Sequence, residues 1–158
     1  MEPNCANLDR DGLNELIAVD PGSGMRYVLN SSTGWNRDGG LQGDINAAYA
    51  KQFGLPGDKH LLNHDVDGDN LVDHGVYREL NGQGVFIVEF SSAPGSVVVV
   101  PFGLPGDVPK SVLVNDEFGR NGLGIYRPAD GFHCQRTPTG QVSCVQWGLP
   151  GAGDEPVS

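Results

Sequence analysis

The sequence predicts an all-β protein built from three repeated four-stranded units. Three observations lead there. The string Phe53-Gly-Leu-Pro-Gly-Asp58 recurs as Phe102-Gly-Leu-Pro-Gly-Asp107 and again as Trp147-Gly-Leu-Pro-Gly151, with Asp154 shortly after, at spacings of 49 and 45 residues. A second marker keeps the same phase: Val76-Tyr77-Arg78 matches Ile125-Tyr126-Arg127. Finally, 24 Gly and 11 Pro among 158 residues disfavour long helices, because these are the two poorest helix residues. A period between 40 and 50 residues marks a stacked or radial repeat and is close to the length of a four-stranded propeller blade.

The units run 1–58, 59–107 and 108–158. In the first, Leu16–Val19, a turn at Pro21–Gly24 and Met25–Asn30 read as a hairpin. An insertion over 35–51 follows, in which Asp44–Phe53 offers a capping Asp and the helix-favouring Ala47, Ala48 and Ala50, so a short helix is one reading. The second unit gives Lys59–Asn63, an acidic loop, Gly75–Arg78, a turn at 81–84, Val85–Phe90, a turn at 93–95 and Val97–Phe102. The third gives Ser111–Val114, Gly124–Arg127, Gly131–Gln135 and Gln141–Trp147. Short β-branched and aromatic runs bounded by Gly, Asn and Pro are how hairpins read. Trp147 stands where the other units have Phe53 and Phe102, which predicts core packing; Tyr77 and Tyr126 are expected between units, with Arg78 and Arg127 as structural residues.

The acidic loops carry the chemistry. Asp65, Asp67, Asp69 and Asp73 occupy positions 1, 3, 5 and 9 of one loop, and Asn7, Asp9, Asp11 and Glu15 hold the same positions of another. Ca²⁺ takes six to eight oxygen ligands at about 2.3–2.6 Å, and alternate side chains of a tight turn can converge on it. Gly12 and Asn70, at position 6, tolerate the left-handed backbone that closes such a turn. The carbonyls of Leu13 and Leu71, at position 7, are then available to an ion. An EF-hand needs a bidentate Glu at position 12, where these loops have Ala18 and Val76. The competing reading is a solvated acidic turn without metal; two copies in phase, each closed by an acid at position 9, favour Ca²⁺ at two sites. The third loop keeps Asp116 and Glu117 but places Phe118 and Arg120 where carboxylates would be, so an Arg120–Asp116 pair is expected there instead of an ion.

The order of an aromatic-Gly-x-x-Gly-Asp element, an Asp-x-Asp-x-Asp-(Gly/Asn)-x-x-(Asp/Glu) loop and an apolar strand ending in Tyr-Arg resembles the FG-GAP/VCBS repeats of integrin-like β-propellers. The resemblance covers nearly the whole chain apart from the insertion. It implies four-stranded antiparallel blades, Ca²⁺ on the loop between the first two strands of a blade, and a secreted or cell-surface setting. Carried over by position, it gives Asn7, Asp9, Asp11 and Glu15, then Asp65, Asp67, Asp69 and Asp73, with Leu13 and Leu71 donating backbone oxygen. Closed propellers have about four to eight blades, so three make a partial propeller or an open arc. The expectation is a homo-oligomer, most simply a dimer, or a segment excised from a longer chain.

Composition narrows the function. Ten basic against 20 acidic residues give a formal charge of −10, which disfavours a nucleic-acid backbone as partner. No apolar run is long enough for a membrane span, and Met1-Glu-Pro-Asn does not open a signal peptide. No nucleophile-elbow, zincin or P-loop motif appears, so the chain reads as a non-enzyme. His60, His64 and His74 surround the middle loop; the reading favoured is surface residues flanking a Ca²⁺ loop, with a transition-metal site as the alternative. Trp35, in the polar insertion, suits stacking on a sugar ring or covering the insertion's own small core. The reading reached is a module for recognition, adhesion or scaffolding in a larger secreted protein, with a protein or glycan ligand. Alternatives are a propeller-type lectin and a non-catalytic accessory domain of a secreted enzyme. Cys134 and Cys144 flank Thr137-Pro-Thr-Gly140, a hairpin turn that sets them opposite each other at disulfide distance, and leave Cys5 unpaired.

Overall fold

A computed structural model of the chain describes residues 8, 11, 13, 15–31, 48–61, 64–110 and 116–148. Among them there is no helix, and the strands form three antiparallel sheets, none closed into a barrel. The first sheet is β1 (Leu16–Asp20), β2 (Met25–Leu29) and β3 (Ala48–Gln52). The second is β4 (Lys59–Leu61), β5 (His74–Leu80), β6 (Gln83–Glu89) and β7 (Val97–Pro101), paired in chain order. The third is β8 (Val108–Lys110), β9 (Leu123–Arg127), β10 (Phe132–Arg136) and β11 (Val142–Gln146), also in chain order.

Three sequence expectations change here. Ala48–Gln52 is not helical; it pairs antiparallel with β2, Met25 opposite Gln52 and Leu29 opposite Ala48. Alanine's helix preference is worth only a few tenths of a kcal/mol per residue over most alternatives, about 0.7 at most, and completing a sheet outweighs it. The end of the expected insertion is therefore sheet, and the first sheet has three strands, not four, among the described residues. Trp35 and Asp44–Ala47 lie outside the described residues, as do Ser111–Val114; the strand opening the third sheet is Val108–Lys110.

The Phe/Trp-Gly-Leu-Pro-Gly elements leave their sheets in one way. The first N–H of each donates to a hairpin carbonyl: Phe53 to Gly24 at 3.2 Å, Phe102 to Gly84 at 2.9 Å and Trp147 to Gly131 at 2.9 Å. The glycine that follows has a positive φ of 104°, 110° and 112° at Gly54, Gly103 and Gly148, a conformation that a side chain resists. The closing Asp is then captured. Arg78 grips Asp58 through Nε–Oδ1 at 2.7 Å and Nη2–Oδ2 at 2.6 Å. Arg127 grips Asp107 in the same way at 2.8 and 3.0 Å. Trp147, however, is 77% exposed. Phe102 stacks on Phe86 with ring centroids 6.1 Å apart and Phe53 meets His74 of the second sheet at 6.4 Å, whereas no described strand follows β11 to cover the indole.

The sheets pack face to face. Leu61, Tyr77, Phe86 and Val88 of the second sheet form one buried cluster with Leu123, Ile125 and Cys134 of the third. Tyr77 and Tyr126 are both buried, and the Tyr77 hydroxyl donates to the Leu104 carbonyl at 2.9 Å. Between the first and second sheets the contact is partly polar. Arg26 is buried beside Val28 and donates to the carbonyls of Leu61, at 3.1 Å, and Gly75. Lys51 of β3 pairs with Glu89 of β6.

Candidate metal centre

The acidic loop between β4 and β5 is closed at its base by the Asp73 N–H donating to the His64 carbonyl at 2.7 Å. Gly68 and Asn70 carry positive φ of 84° and 68°, as the left-handed reading of position 6 requires of Asn70. The resulting turn aims backbone N–H groups at carboxylates. Asp65 accepts from Gly68 at 2.6 Å, Asp69 at 3.2 Å and Asn70 at 2.9 Å. Asp73 accepts from Val66 at 2.8 Å and Ser91 at 2.9 Å. These bonds fix each carboxylate and leave oxygens facing one another. Asp65, Asp67 and Asp73 each offer an oxygen, all within 4.8 Å of one another. Two ligands on opposite sides of a Ca²⁺ ion are separated by about twice 2.3–2.6 Å, so this spacing fits a single shared ion. Asp69 is not in that group; its Oδ1 accepts the Leu71 N–H at 2.8 Å.

The electrostatics match a cation site. Burial pushes the Asp73 carboxyl up to about 6 against the pull of the Ser91 and Val66 N–H bonds, with Asp67 and Asp65 adding repulsion. Burial likewise raises Asp65, helped by Asp69 and Asp67. Crowded carboxylates of this kind favour proton or cation uptake. No positive histidine relieves them. His64 is 2% exposed and burial drives it down to about 4. His74, also buried, falls to about 4 through burial and then Arg26 and Lys51. The surface placement expected for these two is thus corrected. His60 and His74 turn to a guanidinium, with Arg26 Nε 3.2 Å from His60 Nδ1 and Nη1 3.4 Å from His74 Nδ1; an Arg–His cluster between sheets occupies them.

The first loop repeats part of this framework. Leu8 donates its N–H to the Glu15 carboxylate as Val66 does to Asp73, and Leu13 donates to Asp11 at 2.8 Å as Leu71 does to Asp69. Ser31 Oγ donates to Asp11 at 2.9 Å and lies 2.8 Å from Glu15 Oε1, bringing those two acids around one hydroxyl. Asn7, Asp9 and Gly12 lie outside the described residues. In the third loop the expected pair is present: Arg120 Nε is 2.7 Å from Asp116 Oδ2 and holds that carboxyl below its usual range.

Sequence reasoning missed the supporting residues. Ser92 Oγ donates to Asp67 at 3.0 Å, and Ser91 Oγ to the Val72 carbonyl at 2.5 Å. Asn121 ties the second loop to the third: its N–H donates to the Asp65 carbonyl at 2.7 Å and its Oδ1 accepts from the Asp65 N–H at 2.8 Å. Gly68 sits so close to that neighbour that a Cβ would lie 2.4 Å from the Phe118 carbonyl. The available signal was phase: the Ser31-Ser32 and Ser91-Ser92 pairs each begin two residues after the strand that follows the hairpin, β2 or β6.

No family model, no curated protein and no solved structure matches this chain.

Proposed function

We propose that the chain is a calcium-binding β-repeat module of the FG-GAP/VCBS kind, serving recognition or scaffolding outside the cell as part of a larger secreted protein, and not a catalyst. The observation that carries this reading is the convergence of Asp65, Asp67 and Asp73 within 4.8 Å on a turn whose N–H groups already hold all three. Those three would take the ion. Asp69 and the Leu71 carbonyl are the further donors the spacing supplies, with water completing a shell of six to eight oxygens. Glu15, Asp11 and the Leu13 carbonyl, with Asn7 and Asp9, would form a second site in the first loop. The in-phase sheets and the repeated Asp–Arg clasps support the blade reading.

The role of the ion is structural: neutralising buried like charge lets the loop pack against Ser91, Ser92 and the third loop. A ligand that binds only the folded state stabilises it by about 2.7 kcal/mol at a hundredfold excess over Kd. Calcium should therefore raise the melting temperature, a chelator should reverse the shift, and Asp67→Ala should abolish most of it. A melt indifferent to both calcium and chelator would sink the proposal.

A further inference from the structure

We infer that a cavity between the second and third sheets is a binding site for a small aromatic carboxylate, held by Arg136 over an apolar floor. Register defines the place. The elements that leave the three sheets donate to equivalent hairpin carbonyls, those of Gly24, Gly84 and Gly131, and counting from these bonds aligns the sheets residue by residue. Lys51 of the first sheet then matches Val100 of the second, each standing two residues before the donating aromatic. Glu89 of the second sheet matches Arg136 of the third, each standing five residues after the accepting glycine. Between the first and second sheets, Lys51 and Glu89 meet as an ion pair. Between the second and third sheets the same two places hold Val100 and Arg136, and both line a cavity of about 220 Å³.

The cavity combines an apolar floor with an unanswered charge. Val66, Phe90, Val98, Val100 and Leu123 line it. Leu123 is buried, and Val66, Val98 and Val100 pack beside the cluster that joins the two sheets. Arg136 stands opposite Leu123 across β9 and β10, on the face of β10 that carries Cys134 into the same cluster. Its guanidinium lies against the turn at 137–140, where a Cβ on Gly140 would sit 3.3 Å from Nη2. Arg26, Arg78, Arg120 and Arg127 each bond a carbonyl or a carboxylate. Arg136 alone of the described arginines makes no side-chain hydrogen bond or ion pair with a described residue. Arg120 also lines the cavity, but Asp116 neutralises it. No described carboxylate lines the cavity, so the site is separate from the calcium reading. A half-buried guanidinium beside apolar walls is unfavourable unless it is paired, and it matches a carboxylate through two parallel bonds. An apolar cavity of about 150 Å³ accepts benzene, so this one has room for a ring bearing a carboxylate.

Benzoate titrated into the full chain, followed through the methyl resonances of Val98 and Val100, tests the site. Saturable binding in about the millimolar range is expected, which is the range open to so small a ligand. Arg136→Gln should weaken it at least about tenfold, because a hydrogen bond to a charged group is worth more than that factor. Benzamide keeps the ring and lacks the charge, and it should bind the unaltered chain as weakly as benzoate binds the Arg136→Gln variant. Val100→Glu supplies the anion from within and restores a pair at the place held by Lys51 and Glu89 in the neighbouring contact; it should abolish benzoate binding. Lack of saturation up to about 20 mM benzoate, equal affinity for benzamide, or binding that survives either Arg136→Gln or Val100→Glu would overturn the inference.

Discussion

Asp58 and Asp107 are buried carboxylates held by one two-pronged arginine each, and each also accepts a backbone N–H, from Leu55 at 2.7 Å and Leu104 at 2.8 Å. Removing the cation strands a buried charge, which costs more than the pair contributes. Arg78→Leu should therefore destabilise by about 3 kcal/mol, measured by urea unfolding, and Arg78→Lys should recover only part because it lacks the fork. The same pair sets an acid limit. Burial alone would raise the Asp58 pKa, but the bonds from Arg78 and Leu55 outweigh it and hold the carboxyl below 3.8. Stability from this group is therefore present above pH 3.8 and lost as pH falls through the lower folded value. Asp58→Asn should flatten that acid limb of the stability–pH curve; an unchanged limb would show that another carboxylate sets it. In the sequence Asp58 and Arg78 were visible as in-phase residues, and the arginine as structural, but their partnership was not. It depends on strand β5 running back past the turn that precedes β4, a tertiary fact. Arg26 escaped notice for a related reason: nothing in a strand reading Met-Arg-Tyr-Val-Leu says that its arginine points between sheets.

At the level of elements, the hairpins were the most legible. Cys134 and Cys144 are direct partners across β10 and β11, with Cα atoms 4.1 Å apart and a disulfide between them. The turn obeys its residues: Gly140 has φ 95°, and its N–H donates to the Thr137 carbonyl at 2.9 Å. Closing this short loop constrains the unfolded chain, so reduction should lower stability by about 2–3 kcal/mol. Thiol counting in denaturant without reductant should find one free thiol from the three cysteines; a count of three would remove the bond. Ala48–Gln52 was the element the sequence hid, because alanine prefers helix and only pairing with β2 turns it into strand. The acidic loop was legible in position but not in full. Alternation picked out Asp65, Asp67, Asp69 and Asp73; it did not tell that Asp65, Asp67 and Asp73 draw together while Asp69 turns an oxygen to the Leu71 N–H, which follows from local backbone bonding.

At the scale of the molecule, three sheets follow one another along the chain and join through two different kinds of contact. The second and third share an apolar cluster; the first and second meet around Arg26, His60 and His74. Phase in the sequence foretold the order of strands within the second and third sheets. It did not foretell which faces are apolar, because a two-residue strand period looks alike whether its partner is another sheet or water. The exposed Trp147 is the clearest instance. The loops join this scale through Asn121, which makes the second acidic loop and the third a continuous rim. A cation at Asp65, Asp67 and Asp73 would thus stiffen a contact between sheets as well as one turn.

Calcium titrated calorimetrically into the metal-stripped full chain puts the two calcium sites to the test. Saturable binding at two sites is expected, with Asp73→Ala removing the site on the loop between β4 and β5 and leaving the other. Heats no larger than dilution up to millimolar calcium, or binding that survives Asp73→Ala and Asp67→Ala together with both sites intact, would contradict it.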